Sequence, residues 1–216
     1  MAVVLSAQRL TLVAGGRTLL ENADLRIAAG EKCLIVGESG SGKSTLMRCW
    51  LGFTTPTFGV GSGAALVDGE AVTPRSSWAV RRKLGFVAQE PTLPPGTVRE
   101  CFRAPFAFRA NQDKQFDEPA AAALLETFDL PPTLLDRETA DLSGGEKQRV
   151  ALIAAILLGR GCYLLDEPTS ALDAHHAAQV AEHFRTQPDQ TVLAVTHDPE
   201  PFTGWDRVIR LPEGLG

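Results

Sequence analysis

The sequence predicts an α/β domain, a mostly parallel β-sheet covered by helices, with a helical block inserted into it. Two observations carry this reading. In the second half of the 216-residue chain, short apolar runs of strand length alternate with helix-length stretches, the pattern of strands joined by covering helices. Earlier, the apolar run Lys32 to Val36 passes directly into a glycine-rich loop and then into a helical pattern, a strand–loop–helix unit.

Taken in order, the first thirty residues alternate as β-structure does. Val3 to Leu5, Leu10 to Val13 and Ala23 to Ile27 form three short candidate strands, separated by Gly15-Gly16 and Ala29-Gly30. Lys43 to Leu51 reads as a helix, and Ala64 to Val67 and Leu84 to Ala88 as strands. From about Pro91 to Asp141 the character changes. Prolines at 91, 94, 95, 105, 119, 131 and 132 punctuate short helices, Thr97 and Glu100 have capping-box spacing, and Glu118 to Phe128 is helical in period. Residues 91–141 are therefore expected to form a helical subdomain within one domain spanning 1–216. A helix (Gly144 to Leu158), a strand (Cys162 to Leu165), a helix (Ala174 to Arg185) and strands at Thr191 to Val195 and Arg207 to Leu211 complete the pattern. The chain stops soon after the last strand, and no C-terminal regulatory domain is expected.

Composition narrows the class. With 44% hydrophobic and 22% charged residues the chain is ordinary for a folded globular protein. A formal charge of −5 argues against a nucleic-acid partner, because neutralising phosphates needs a dense basic surface. No apolar run reaches bilayer length; the longest, Val150 to Leu158, reads as a buried helix. The N-terminus lacks the pattern of a signal peptide. Cys33, Cys49, Cys101 and Cys162 are far apart and form no C-x-x-C pair, so reduced thiols in a cytoplasmic protein are expected.

Gly37-Glu38-Ser39-Gly40-Ser41-Gly42-Lys43-Ser44-Thr45 satisfies G-x-x-x-x-G-K-[ST]. Glycines let backbone N–H groups turn inward and approach phosphate oxygens, and the helix that follows presents its positive end to an anion. Lys43 is expected to reach the β- and γ-phosphates of ATP, and Ser44 to coordinate Mg²⁺. Cys162 to Leu165 ends in Asp166 and Glu167. A carboxylate at that strand end can hold the Mg²⁺ shell (Asp166), and its neighbour can polarise the attacking water (Glu167).

Leu142-Ser143-Gly144-Gly145-Glu146-Lys147-Gln148-Arg149 resembles the signature motif of ABC ATPases. Ser143 and Glu146 also form an ordinary capping box, and the two readings are compatible. The resemblance covers essentially the whole chain. Gln89 resembles the Q-loop glutamine that touches Mg²⁺ and the attacking water; Ser170-Ala171-Leu172-Asp173 resembles the D-loop; His197 resembles the switch histidine on the γ-phosphate. The resemblance implies a P-loop NTPase core of ABC type, a mostly parallel sheet plus an N-terminal antiparallel β-subdomain. It also implies that Ser143, Gly144 and Gly145 close over a nucleotide bound by an opposite subunit, with Asp173 at the same interface. Two copies would then pair head to tail in an ATP-induced homodimer.

Three departures from the family stand out. The aromatic residue that usually stacks on adenine is missing from Leu12-Val13-Ala14-Gly15-Gly16; Val13 is expected to offer an aliphatic contact instead, with weaker stacking. Ala154 stands where an arginine is usual, and Cys162 and Tyr163 replace aliphatics in the catalytic strand; a buried Tyr163 requires a hydrogen-bond partner. His175, His176 and His183 lack the i, i+4 spacing of a helical metal site and read as solvated surface. Trp50, Trp78 and Trp205 read as core or subunit-contact residues rather than ligand platforms.

The expected function is thus the ATP-hydrolysing subunit of an ABC transporter. It would work on the cytoplasmic face of the membrane through a separate permease, gripped around Gln89 to Phe108. The run Ala88 to Leu93, followed by Gly96-Thr97-Val98, resembles small bacterial iron-export ATP-binding subunits. The alternative is a soluble ABC-type ATPase of DNA repair or translation; such relatives usually carry coiled coils, zinc modules or paired cassettes, none of which this sequence shows. A non-hydrolysing binding module is disfavoured by Lys43, Glu167 and His197.

Overall fold

The computed structural model describes residues 3–14, 16–53 and 62–211. Two sheets share the work. β1 (Val3–Ala14), β2 (Arg17–Ala28), β4 (Ala64–Val67) and β5 (Glu70–Ala71) form an antiparallel sheet in the order β2-β1-β4-β5. β3 (Lys32–Val36), β6 (Leu84–Val87), β7 (Cys162–Asp166), β8 (Thr191–Thr196) and β9 (Arg207–Arg210) form a parallel sheet in the order β6-β7-β8-β3-β9.

The three short N-terminal strands of the sequence reading are in fact one long hairpin. β1 and β2 pair from Val3↔Ala28 to Ala14↔Arg17 with repeated register shifts. Arg9 (φ 46°) and Asn22 (φ 47°) sit in left-handed conformations, so extra residues break the alternation that would have marked continuous strands. Gly15, read in the sequence as a strand separator, lies outside the described residues.

The central strands β3, β7 and β8 of the parallel sheet are buried on both faces, and their side chains divide by parity. Leu34, Tyr163, Leu165, Val192 and Ala194 join one core, while Cys33, Ile35, Cys162, Leu164, Leu193 and Val195 join the other. The second core is closed by the antiparallel sheet and α1 (Lys43–Trp50), whose Trp50 is buried and donates its indole N–H to the Ser6 carbonyl at 2.9 Å. α2 (Ser77–Arg81) leads into β6 and carries the exposed Trp78.

The first core lies under α3 (Val98–Arg103), α4 (Glu118–Thr127), α5 (Gly144–Leu157) and α6 (Ala174–Arg185). α3 starts on a capping box in which Thr97 Oγ1 accepts from Glu100 N at 3.2 Å and Glu100 accepts from Thr97 N at 2.8 Å. Trp205 is buried here and donates to the Ala181 carbonyl at 3.3 Å.

Tyr163 departs from expectation. It is fully buried, yet among the described residues its hydroxyl meets no partner in good hydrogen-bond geometry, the Arg160 backbone being the group beside it. Its ring fits because β6 places Gly85 directly opposite; a Cβ there would stand 2.5 Å from the ring. His183 is also not the solvated residue the spacing suggested. Its ring packs tilted against Phe128 at 5.1 Å and edge-on to Phe184 at 5.3 Å, and burial lowers its pKa.

Candidate active site

The parallel register brings the C-terminal ends of β3, β7 and β8 together, with Val36 beside Thr196 and Asp166 beside Val195. Ligands of such sheets gather at those ends. The loop after β3 turns through Gly40 (φ 83°) and Gly42 (φ 93°), conformations that cost an L-residue with a Cβ. It delivers Lys43 as the first residue of α1. The Lys43 ammonium donates to the carbonyls of Gly37 at 2.6 Å and Glu38 at 2.9 Å, and stands 3.8 Å from Glu167 Oε1.

Ser44 Oγ donates to Asp166 Oδ1 at 2.8 Å across the floor of the site. Burial pushes the Asp166 carboxyl above its ordinary range, opposed by the Ser44 bond and by Arg48. Glu167 follows immediately with a φ of 47°, and its backbone N–H donates to the Val195 carbonyl at 2.9 Å. A left-handed non-glycine residue costs about 1 kcal/mol or more, a strain found where surrounding contacts fix a side chain. Those contacts are present. Glu167 Oε2 accepts from Thr196 Oγ1 at 3.2 Å and His197 N at 3.3 Å, and lies 2.9 Å from His197 Nδ1.

These groups line one cavity of about 820 Å³: Glu38, Ser39, Gly40 and Gly42–Thr45 of the loop, Gln89 after β6, then Glu167 and His197, with Leu19 of β2 as the remaining wall. Gly37 and Ser41 shape the loop from behind, where a Cβ on Gly37 would stand 2.7 Å from Ser41 Oγ. Chemically the cavity offers an ammonium for an anion, a hydroxyl–carboxylate pair, and a fixed carboxylate. Ser44, Asp166 and the Gln89 amide are hard oxygen donors. One carboxylate with a hydroxyl suits Mg²⁺, which keeps waters and substrate phosphates for the rest of its shell.

Ser143, Gly144, Gly145 and Asp173 do not line this cavity. Ser143 caps α5, accepting from Glu146 N at 3.3 Å while Glu146 accepts from Ser143 N at 2.8 Å. The face over Gly144 is open: among the described residues, nothing outside its own chain neighbours and helix backbone comes within 4 Å of the point a Cβ would occupy. Asp173 caps α6, accepting from His176 N at 3.0 Å. Sequence reasoning missed two residues. Leu19 supplies an aliphatic wall of this cavity, its Cβ 3.0 Å from where a Gly42 Cβ would lie; one leucine in an apolar strand carries no local signal. Thr196 holds Glu167, and only the register of β8 reveals it.

A family model described as "ABC transporter" matches residues 20–170. The chain belongs to the ABC transporter family. As a member it is an ATP-binding subunit and an ATPase. It is 36% identical over 216 residues to the probable iron export ATP-binding protein FetA of Escherichia coli, covering 99% of this chain and 93% of that one. It is 38% identical over 203 residues to the macrolide export ATP-binding/permease protein MacB of Brucella melitensis, of whose length it spans 30%. Among solved structures, the ATP-binding cassette MJ0796, a dimer in a post-hydrolysis state bound to ADP and Pi, superposes with a TM-score of 0.80 at 28% identity, covering 96% of this chain and 94% of that one. The fold of this ABC cassette, a parallel sheet with an antiparallel sheet and helices, is the one those neighbours share.

Proposed function

We propose that this chain is the motor of an exporter, in which two copies pair head to tail around ATP and drive a separate membrane permease. The observation that carries this is the split between Lys43, Ser44, Asp166, Glu167 and His197, gathered at one cavity, and Ser143-Gly144-Gly145, which lie off it on the open start of α5. A helix start with free N–H groups is an anion site, so a second copy is needed to bring it over the phosphates. Because each chain carries both halves, a twofold pair with two sites is the simplest closed assembly.

Within each site, Gly37 to Thr45 cradle the phosphates, and the Lys43 ammonium exchanges its loop carbonyls for phosphate oxygens. Ser44, Asp166 and Gln89 would hold Mg²⁺, which when bound would supply neutralisation of phosphoryl charge. Glu167 accepts the proton of the attacking water. His197, kept in place by Glu167, donates to the terminal phosphate. Asp173 meets the opposite subunit. Hydrolysis weakens the contacts across the pair, and the helical subdomain at 91–141 passes the resulting motion outward.

The permease is expected at an apolar cavity of about 350 Å³ between the edge strand β6 and the helices. Pro91, Leu93, Pro105 and the exposed Phe108 flank it, and Ala151, Ala154 and Ala155 of α5 form its floor. An arginine at 154 would intrude there; alanine leaves the groove apolar. Among the described residues no helix is long and apolar enough to cross a membrane, and the MacB-type relatives carry the permease in the same chain by name. The protein would therefore sit at the inner face of the cell membrane through its partner, without nucleic acid. The similarity to a probable iron export protein makes iron our proposed cargo.

Co-purification from solubilised membranes tests this. A permease should come down with the chain and be lost or weakened with Phe108→Asp, which puts a charge on the exposed rim of the groove, while folding and basal ATP turnover persist. Recovery with ribosomes or DNA instead of a permease overturns the transport reading.

A further inference from the structure

Building on the head-to-tail pairing proposed above, and dependent on it, we infer that Arg149 and His175 are positioning residues. They meet at the turn after α4 and join the start of α5 to the start of α6. Ser143-Gly144-Gly145 and Asp173 are thereby presented to a second copy as one face. Among the described residues that line the nucleotide cavity, neither Arg149 nor His175 appears.

The turn that receives them follows from α4 itself. A helix ends in carbonyls that have no partner within it. Here the chain leaves α4 through Asp129 in a left-handed conformation (φ 51°), and Leu130 N donates back to the Leu125 carbonyl at 2.8 Å. The Phe128 carbonyl is taken up by α5. Arg149, one turn after Gly145, is 8% exposed; its Nη1 donates to Phe128 O at 2.9 Å and its Nε to Gly145 O at 3.3 Å. A cation is favoured at the negative end of a helix. Burial works against the guanidinium charge, and the carboxylates of Glu146, Asp129 and Asp173 oppose that effect.

α6 holds the same turn. His175, two residues after Asp173, places Nε2 2.9 Å from Asp129 Oδ2. The Gln179 amide, one turn further along, stands beside the same carboxylate, and His175 with Gln179 keeps the Asp129 carboxyl below its ordinary range. His183 completes the row at i, i+4, i+8, its ring tilted against Phe128 at 5.1 Å. Asp173 is fixed to the start of α6 by accepting from His176 N at 3.0 Å, with His176 Nδ1 at 2.8 Å. Gly145 also packs on the loop before α6, where a Cβ would stand 3.2 Å from the Ala171 carbonyl.

Pairing costs the ordering of every element that must be in place when two copies meet. Joined at one turn, the starts of α5 and α6 are ordered together before the second copy arrives. Released from it, each must be fixed separately on closing. Breaking the join should therefore weaken pairing, while nucleotide binding by the single chain stays as it was. The two residues differ in weight. Arg149 is buried, whereas His175 and Asp129 are 73% and 47% exposed, where an ion pair contributes little.

The test is made in the Glu167→Gln chain, with its Mg-ATP dimer followed by light scattering over a series of protein concentrations. Arg149→Lys keeps the charge but replaces a fork reaching two carbonyls with a single ammonium. Asp129→Asn suits the left-handed turn and removes the charge, and His175→Gln removes its partner. Fluorescent ribose-labelled ADP reads the cavity of the single chain, and Asp117→Ala serves as a capping loss outside the join. Pairing should weaken by at least about tenfold in Arg149→Lys. It should weaken by about two- to fivefold in Asp129→Asn and in His175→Gln, with no further loss when those two are combined. ADP binding should stay within about twofold throughout, and Asp117→Ala should pair like the parent. Undiminished pairing in folded Arg149→Lys overturns the inference, as does a parallel loss of ADP binding and pairing, which marks general damage. If Arg149→Lys does not fold, Asp129→Asn and His175→Gln decide, and parent-like pairing in both overturns it. A Glu167→Gln parent that stays monomeric in Mg-ATP removes the pairing reading itself, and this inference with it.

Discussion

Ser143 serves two purposes in this account, and they predict different sizes of effect. Its hydroxyl accepts from Glu146 N at 3.3 Å at the start of α5. Asp117 does the same for α4, accepting from Ala120 N at 3.1 Å, away from the nucleotide cavity. Losing either cap to alanine should cost about 1 kcal/mol. For a chain of this size that lowers the melting temperature by about 2–4 °C. A domain stable by about 5–15 kcal/mol stays almost wholly folded after such a loss, so turnover at 25 °C should not change through unfolding. Asp117→Ala should therefore hydrolyse ATP at the unaltered rate. Ser143→Ala should melt at a similarly lowered temperature but lose turnover by on the order of 10²-fold, the size seen when one donor to a developing anion is removed. Thermal denaturation and phosphate release would be measured on both proteins. Equal turnover in the two variants would refute the reasoning, leaving Ser143 a helix cap and nothing more.

Three further outcomes follow from the packing. Burial pushes Cys33 and Cys101 up to about 11 and Cys49 and Cys162 up to about 12, so at pH 8 iodoacetamide should modify the folded chain far more slowly than the denatured one. Since an unfolded thiol titrates near about 8.5, the unfolded chain loses protons above that pH while the native one keeps them. Stability should then fall as pH rises from about 9 toward 11, and a melting temperature that instead rises over this range contradicts the burial. Gly85→Ala places a Cβ 2.5 Å from the Tyr163 ring and should destabilise by about 1–3 kcal/mol through overpacking. Adding Tyr163→Val should restore much of that loss, and additive losses in the double mutant would show that the two residues do not clash.

What the sequence disclosed and what it hid have physical causes. The phosphate loop, Asp166, Glu167 and the Ser143 helix start are contiguous strings whose residue types are set by local chemistry, and these could be read directly. The strands of the parallel sheet were legible because burial on both faces leaves continuous apolar runs such as Cys162 to Leu165. The N-terminal hairpin was not, because left-handed Arg9 and Asn22 interrupt its period. The ring of His183 between Phe128 and Phe184 joins α6 to the end of α4, a long-range contact that leaves no mark on local spacing. Leu19 and Thr196 likewise acquire their place only through β2 meeting the phosphate loop and β8 pairing beside β7.

The central claim is that one chain holds two half-sites that become complete only when two copies close on ATP, with Glu167 taking the proton of water. Glu167→Gln keeps the side chain's shape and removes the base. With Mg-ATP present, light scattering after size exclusion should show this variant as a stable dimer, and phosphate release should fall to background. Without nucleotide, the same protein should elute as a monomer. Undiminished turnover, or a variant that stays monomeric in Mg-ATP, would contradict the account.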